Sequence, residues 1–252
     1  MARLSVNLNK VALLRNSRHT GVPDLQEFAR IAIAAGAGGI TVHPRPDERH
    51  IRRNDVPELA KLMQPRRPKL ELNIEGYPDA RLVDMATEVF PEQCTLVPDA
   101  PAAFTSEKGW DLTADQMQLL RPVIATLREL KSRVILFIDP DTTVLDRVIQ
   151  VGGEGIEIFT GRYAADFRAR QHAAMLDACT ETARQARARG LVVNVGHDLN
   201  LRNLPPLIAR IPFLAEASIG HELTADALLM GYGSAVRAYV TALTSTQGVT
   251  DK

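Results

Sequence analysis

The sequence predicts an α/β protein closed into a (β/α)8 barrel, on three observations. Short apolar runs alternate with capped amphipathic segments eight times without interruption. The 252 residues match the ~250 of one such barrel and exceed a usual sandwich. Several apolar runs end in charge-dense loops, which is how this architecture delivers side chains to a site. A doubly wound sheet alternates in the same way, but eight units in this length fit the closed TIM barrel better. No internal repeat, linker or low-complexity block interrupts the chain, so one domain over residues 1–252 is expected, with a frayed tail at 244–252.

The elements follow in order. Leu4 to Asn9 alternates apolar and polar and reads as the first strand, leading through Lys10 into a polar loop, Arg15 to Gly21. Pro23-Asp24 opens a helix through Ala35 that Gly36 ends. Gly39 to His43 is the second strand, and Asn54 caps a helix to about Met63. Lys69 to Glu75 is the third strand, with Leu70, Leu72 and Ile74 on one face and Glu71, Asn73 and Glu75 on the other. That polar face is unusual for a strand covered on both sides. Pro78-Asp79 starts a helix to Val89, and Gln93 to Val97 is the fourth strand. Pro98 to Asp111 contains no clear element; a segment of that length in a compact domain reads as a lid. A helix from Thr113 to Leu130 precedes the fifth strand, Val134 to Ile138, and Asp141 begins the next helix. Gly155 to Ile158 is the sixth strand, followed by Thr160 to Ala164 and a long helix over about 168–189 stopped by Gly190. Leu191 to Asn194 is the seventh strand, Leu204 to Ala209 a short helix, Ala215 to Ile219 the eighth strand, and Leu223 to Leu243 one last helix.

Composition narrows the function. Formal net charge is zero, which argues against a nucleic-acid binder working by phosphate neutralisation but leaves room for a local basic pocket. Cys94 and Cys179 lie in apolar or helical contexts and suggest no disulfide framework. With no apolar run near 18 residues and no signal-peptide core, a soluble cytoplasmic protein without a membrane span is expected.

A barrel of this kind carries its site at the C-terminal ends of its strands. The densest stretch there runs from His43 to His50, where Pro44 and Pro46 hold the chain extended between His43, Arg45, Asp47, Glu48, Arg49 and His50. The other strand ends contribute Asn7, Asn9, Lys10 and Arg18 from the first unit, Glu75 from the third, Thr105 from the long fourth loop, and Glu157 from the sixth. The seventh and eighth add His197 and Gly220-His221. Four of the six histidines thus share one rim. A lone histidine is more often packed or solvated than catalytic; convergence of four weighs against that reading. Histidine and glutamate suit proton transfer near neutral pH. Arginine and lysine suit phosphate, and barrels often bind phosphate at their last two loops. The residues therefore point to a proton-shuttling enzyme for small phosphorylated substrates. A metal-dependent barrel hydrolase stays open, although its usual pair of histidines one residue apart on the first strand is replaced by Asn7-Leu8-Asn9. A lysine Schiff-base aldolase is disfavoured, since only Lys10 is plausibly placed. A non-catalytic phosphometabolite-binding barrel would need the basic residues but neither Glu75 nor His197.

Several blocks carry a resemblance. Val6-Asn7-Leu8-Asn9-Lys10 with Leu14 to Arg18, Gly39 to His43 with Arg45 and Arg49-His50, Asn73 to Pro78, Leu96-Val97-Pro98, Val193 to Asn200, and Ser218 to His221 together resemble the pyridoxine 5′-phosphate synthase family of the deoxyxylulose-phosphate-dependent vitamin B6 pathway. The blocks Thr41 to His50 and Asn194 to Asn200 are the specific ones. The resemblance implies condensation of 1-deoxy-D-xylulose 5-phosphate with 3-amino-2-oxopropyl phosphate and closure of the pyridine ring, with no cofactor and no metal. It implies His43 and Glu75 as proton acceptors, His197 as proton donor and Glu157 as transition-state stabiliser. Arg45, His50 and Thr105 would contact the deoxyxylulose phosphate, and Asn9 and Lys10 would also bind substrate. Asn7, Arg18, Asp198, Gly220 and His221 would contact the aminoketone phosphate. It further implies a homo-octamer. Some family members carry Asp-His in place of Asn9-Lys10, and some carry glycine in place of Asp198. The first difference removes an anion and adds a long cation beside a phosphate substrate.

Overall fold

A computed structural model describes residues 1–99 and 108–244. Eight parallel strands close in sequence order, β1 pairing with β8. They are β1 (Arg3–Asn7), β2 (Gly39–Val42), β3 (Glu71–Gly76), β4 (Gln93–Leu96), β5 (Arg133–Ile138), β6 (Gly155–Phe159), β7 (Val192–Gly196) and β8 (Glu216–Ile219). The helices are α1 (Asn9–Asn16), α2 (Leu25–Ala34), α3 (Asp55–Met63), α4 (Ala80–Val89), α5 (Ala114–Glu129), α6 (Leu145–Val151), α7 (Gly161–Arg168), α8 (Ala173–Ala188), α9 (Leu204–Arg210), α10 (His221–Met230) and α11 (Tyr232–Thr244). No described helix is long and apolar enough to cross a membrane. The predicted (β/α)8 barrel is therefore the observed one.

Four local differences have identifiable causes. The first strand stops at Asn7, not Asn9, because the Asn7 side chain accepts the Asn9 backbone N–H at 3.0 Å and turns the chain into α1. Arg15 belongs to that helix rather than to a loop, and buries a two-pronged pair with Asp55 at 2.6 and 2.9 Å. The stretch after the sixth strand, given no element by the sequence, is α7, and the following helix starts at Ala173 because Arg170 takes a left-handed φ of 59°. The single last helix is two, α10 and α11, broken at Gly231, whose φ is 81°. The expected frayed tail, past Thr244, lies outside the described residues.

Strand alternation divides the buried residues into two environments. Outward residues such as Val6, Ile40, Leu72, Ile74, Leu136, Ile156 and Val195 join the helices in one apolar layer. Each fully buried aliphatic side chain there contributes about 1.5–3 kcal/mol. Inward residues are mostly polar, whereas such a lumen is ordinarily filled by branched apolar side chains. At the strand N-terminal end, Glu71 is paired with Arg3 at 2.6 Å and with Arg133. Gln93 donates to Glu216 at 3.1 Å and accepts from Arg133 at 2.8 Å and Asn194 at 3.2 Å. Above it, Ser5, Thr41, Asn73 and Thr95 form a second hydrogen-bonded tier with separations of 2.6–3.5 Å. The lower tiers are thus tied by polar bonds across the lumen, and the open end above them is left for chemistry.

Candidate active site

The C-terminal ends of the strands surround a cavity of about 520 Å³. Asn7, Asn9, Lys10, His43, Arg45, His50, Glu75, Glu157, His197, Asp198, Gly220 and His221 all line it. Two expected residues do not join them. Arg18 is exposed on the turn after α1 and is not among the lining residues. Thr105, with most of the expected lid, lies outside the described residues. The two ends of that segment are held. Asp99 pairs with Arg45 at 3.3 Å, and Trp110 donates from its backbone to Phe137 and from its indole to Leu96, both at 2.9 Å.

Each side chain arrives by a local device. Asn9, at the start of α1, accepts the His43 backbone N–H at 2.9 Å and ties the first strand end to the second. The loop after β2 is braced by Asn16, whose amide donates to the His50 carbonyl at 2.7 Å, and by Arg81, which donates to the Pro44 carbonyl. His50 Nδ1 accepts the Ile51 N–H at 2.9 Å, so the neutral ring carries its proton on Nε2. Gly196 is required by Glu157: a Cβ there would stand 2.0 Å from Glu157 Oε1. Directly after it, His197 and Asp198 both take left-handed φ values, 79° and 57°. Such conformations in non-glycine residues cost of order 1–3 kcal/mol each and gather at functional sites. The His197 ring sits between Phe137 and Phe159, at centroid distances of 4.8 and 5.2 Å.

Burial dominates the electrostatics. Glu75 is pushed up to about 7 by burial, with Glu216 and Asp99 adding to the rise and Ser218 opposing it. Among the described residues its carboxyl accepts long hydrogen bonds from Asn7 and Ser218, both at 3.4 Å. Glu157 is raised well above the carboxylate range by burial and by Glu75 and Glu216, and among the described residues its Oε2 has no hydrogen-bond partner. His43 is lowered well below the usual imidazole range by burial, then by His50, Arg45, His197 and Arg81. His50 is lowered to about 4, mainly by burial and Arg45, and His197 is lowered by burial. His43 and Glu75, 3.9 Å apart, are therefore a neutral imidazole beside a readily protonated carboxyl, not an ion pair. Deeper in the lumen, burial also raises Glu71, but Arg3 and Arg133 outweigh it and hold that carboxyl below its ordinary value. The two carboxylates of one strand face have opposite environments. Among the described residues, no three His, Cys, Asp or Glu side chains group in a way that could hold a metal ion.

Sequence reasoning missed Ser218 and Phe159, which also line the cavity. Ser218 could have been found from the Glu216-Ser218 alternation on the eighth strand; nothing local in the sequence marks Phe159.

The profile of the pyridoxal phosphate biosynthesis protein PdxJ matches residues 4–245. The chain is 47% identical over 243 residues to the pyridoxine 5′-phosphate synthase of Brucella suis, covering 96% of this chain and 98% of that relative. It is 48% identical over 241 residues to the pyridoxine 5′-phosphate synthase of Allorhizobium ampelinum, covering 94% and 96%. Among solved structures it is similar to the tryptophan synthase alpha subunit of Legionella pneumophila, with a TM-score of 0.62 at 14% identity over 96% of this chain and 92% of the other. At that identity the likeness carries the fold alone.

Proposed function

This chain belongs to the family of the pyridoxal phosphate biosynthesis protein PdxJ, and from that premise we propose the reaction of its site. It acts as a pyridoxine 5′-phosphate synthase. 1-Deoxy-D-xylulose 5-phosphate and 3-amino-2-oxopropyl phosphate condense through the substrate's own amine, and the ring closes with loss of phosphate and water. The observation that carries the reading is the convergence of His43, Glu75, Glu157 and His197, from four different strands, on one cavity that also holds Lys10 and Arg45.

In this reading each proton step has a group in a suitable state. His43, kept neutral by burial, is a free base for the first enolisation. Glu75, with a pKa of about 7, changes protonation at little cost at working pH and serves as the second acceptor. Glu157 stays protonated and presents an O–H to oxygen atoms that gain charge in the dehydration steps. His197 is the donor. A phosphate group entering beside His197 raises its proton affinity, opposing the desolvation that lowers it in the free protein. Lys10, Arg45 and His50 hold the deoxyxylulose phosphate, with Asn9 fixing the His43 backbone; Asn7, Asp198, Gly220 and His221 surround the aminoketone phosphate. Arg18 and Thr105 are assigned to the substrates by family resemblance alone. No metal and no cofactor enters these steps.

A binding-only barrel is the second reading. It needs the cations, but it gains nothing from burying Glu75 and Glu157 without strong partners, a placement that costs free energy. The cytoplasmic location and the homo-octamer belong to the same proposal. Exposed apolar side chains on α1 and α10, Leu14 at 54% and Leu229 at 90% exposure, support an assembly. The test is incubation with both substrates, followed by absorbance and mass detection of pyridoxine 5′-phosphate. Absence of product with folded protein would sink the reading.

A further inference from the structure

Thr160 sits between β6 and the unpredicted helix α7, at the N-cap position. A threonine there ordinarily spends its hydroxyl on the first turn of its own helix. Here it makes no such capping bond. Its hydroxyl is fully buried and lies 2.6 Å from the carbonyl oxygens of both Gly196 and His197, one proton shared between two acceptors. Its backbone N–H also donates to the Gly196 carbonyl, at 2.9 Å. We propose that Thr160 is the positioning residue for His197, its hydroxyl locking the left-handed turn that holds the imidazole at the cavity.

Three observations support this assignment over a merely structural joint. The strands it bridges are already paired along their length, with Ile158 opposite Val195 and Phe159 opposite Gly196, so the hydroxyl adds little to the ladder. The two carbonyls it holds flank the rotatable bonds of His197, the residue whose φ is 79°. Asn203 grips the far side of the same turn, donating to the Asp198 carbonyl at 3.0 Å. The aromatic pair Phe137 and Phe159 steadies the ring, and Thr160 steadies the backbone beneath it. Thr160 does not line the cavity, so any effect on the reaction passes through His197. The inference rests on the proposed reading of His197 as proton donor.

The test uses the full chain with Thr160→Val, Thr160→Ala, Thr160→Ser, His197→Asn and the double variant Thr160→Val/His197→Asn. Loss of the hydroxyl in Thr160→Val is expected to lower kcat roughly 10-fold, with KM within about 2-fold, the scale of one lost buried hydrogen bond acting on orientation. Thr160→Ala carries the same test should the valine not fold. Thr160→Ser, which restores the hydroxyl, recovers the rate. In the His197→Asn background the valine has no further effect. ¹⁵N-labelled imidazole spectra provide a readout without turnover: the His197 ring signals shift on removal of the hydroxyl, and those of His43 stay. Additive losses in the double variant, an unchanged kcat, or an unmoved His197 spectrum each overturn the proposal. A fully active His197→Asn would overturn the donor role instead, leaving the spectra to decide whether Thr160 positions the ring.

Discussion

Replacing Glu75 by glutamine separates catalysis from stability at one buried atom pair. The carboxyl is nearly inaccessible and, among the described residues, has no Lys or Arg partner and accepts two hydrogen bonds of 3.4 Å. With its pKa moved from 4.5 to about 7, ionising it in the fold costs roughly 3 kcal/mol more than in the unfolded chain. The sign follows from proton counts. Between pH 4.5 and about 7 the folded protein retains a proton that the unfolded chain has released, so this group lowers stability as pH rises and exerts its whole cost above that window. Glutamine carries no such cost. It requires only rearrangement of the Asn7 and Ser218 hydrogen bonds, about 1 kcal/mol. Glu75→Gln is therefore expected to leave the melting temperature nearly unchanged near pH 4.5 and to raise it by several degrees near pH 8, at about 2–4 °C per kcal/mol for a chain of this size. Ring closure is expected to slow by roughly 10²-fold or more. Scanning calorimetry across this pH range and single-turnover rates on the same preparation measure both. Near-wild-type turnover per folded molecule would remove Glu75 from the proton-transfer steps. A melting difference that does not grow with pH would refute the buried neutral carboxyl.

Three further substitutions or treatments probe the rest of the site. Gly196→Ala puts a methyl group 2.0 Å from Glu157 Oε1; it is expected to destabilise the fold by about 1–3 kcal/mol and to lower kcat, seen by denaturant melts and steady-state rates, and an inert substitution would mean that Glu157 is not held against that glycine. Lys10→Met keeps the length of the stem and removes the charge, so it is expected to raise KM for the deoxyxylulose phosphate with little change in kcat, the pattern of lost uniform binding; an unchanged KM would take Lys10 off the phosphate. Exhaustive chelation is expected to leave product formation intact, and a loss restored by a divalent ion would overturn the metal-free reading of the site.

The polar face of the third strand is visible in Glu71-Asn73-Glu75, and the succession of short apolar runs and capped helices places every strand of the barrel to within a few residues. Period and capping are local properties, so they can be read from neighbours in the chain. The rim could be read for the same reason: in a parallel barrel every strand runs in one direction, so any residue just past a strand joins one end of the molecule. This logic, applied to His43, Glu75, Glu157 and His197, needs no coordinates. Breaks in the pattern were harder. The turn at Leu8, the helix α7 and the stop at Gly231 depend on single backbone torsions and side-chain bonds that leave little trace in periodicity. Tertiary structure alone decided what charge each group carries. Glu71 and Glu75 share a strand and a face, yet two arginines from β1 and β5 hold the first ionised while burial raises the second. It alone set Thr160 against the turn of His197, across two strands and 37 residues of chain. Desolvation and long-range pairing are sums over neighbours that meet only when the barrel closes, so the order of residues supplies the groups, and closure sets their protonation and aim.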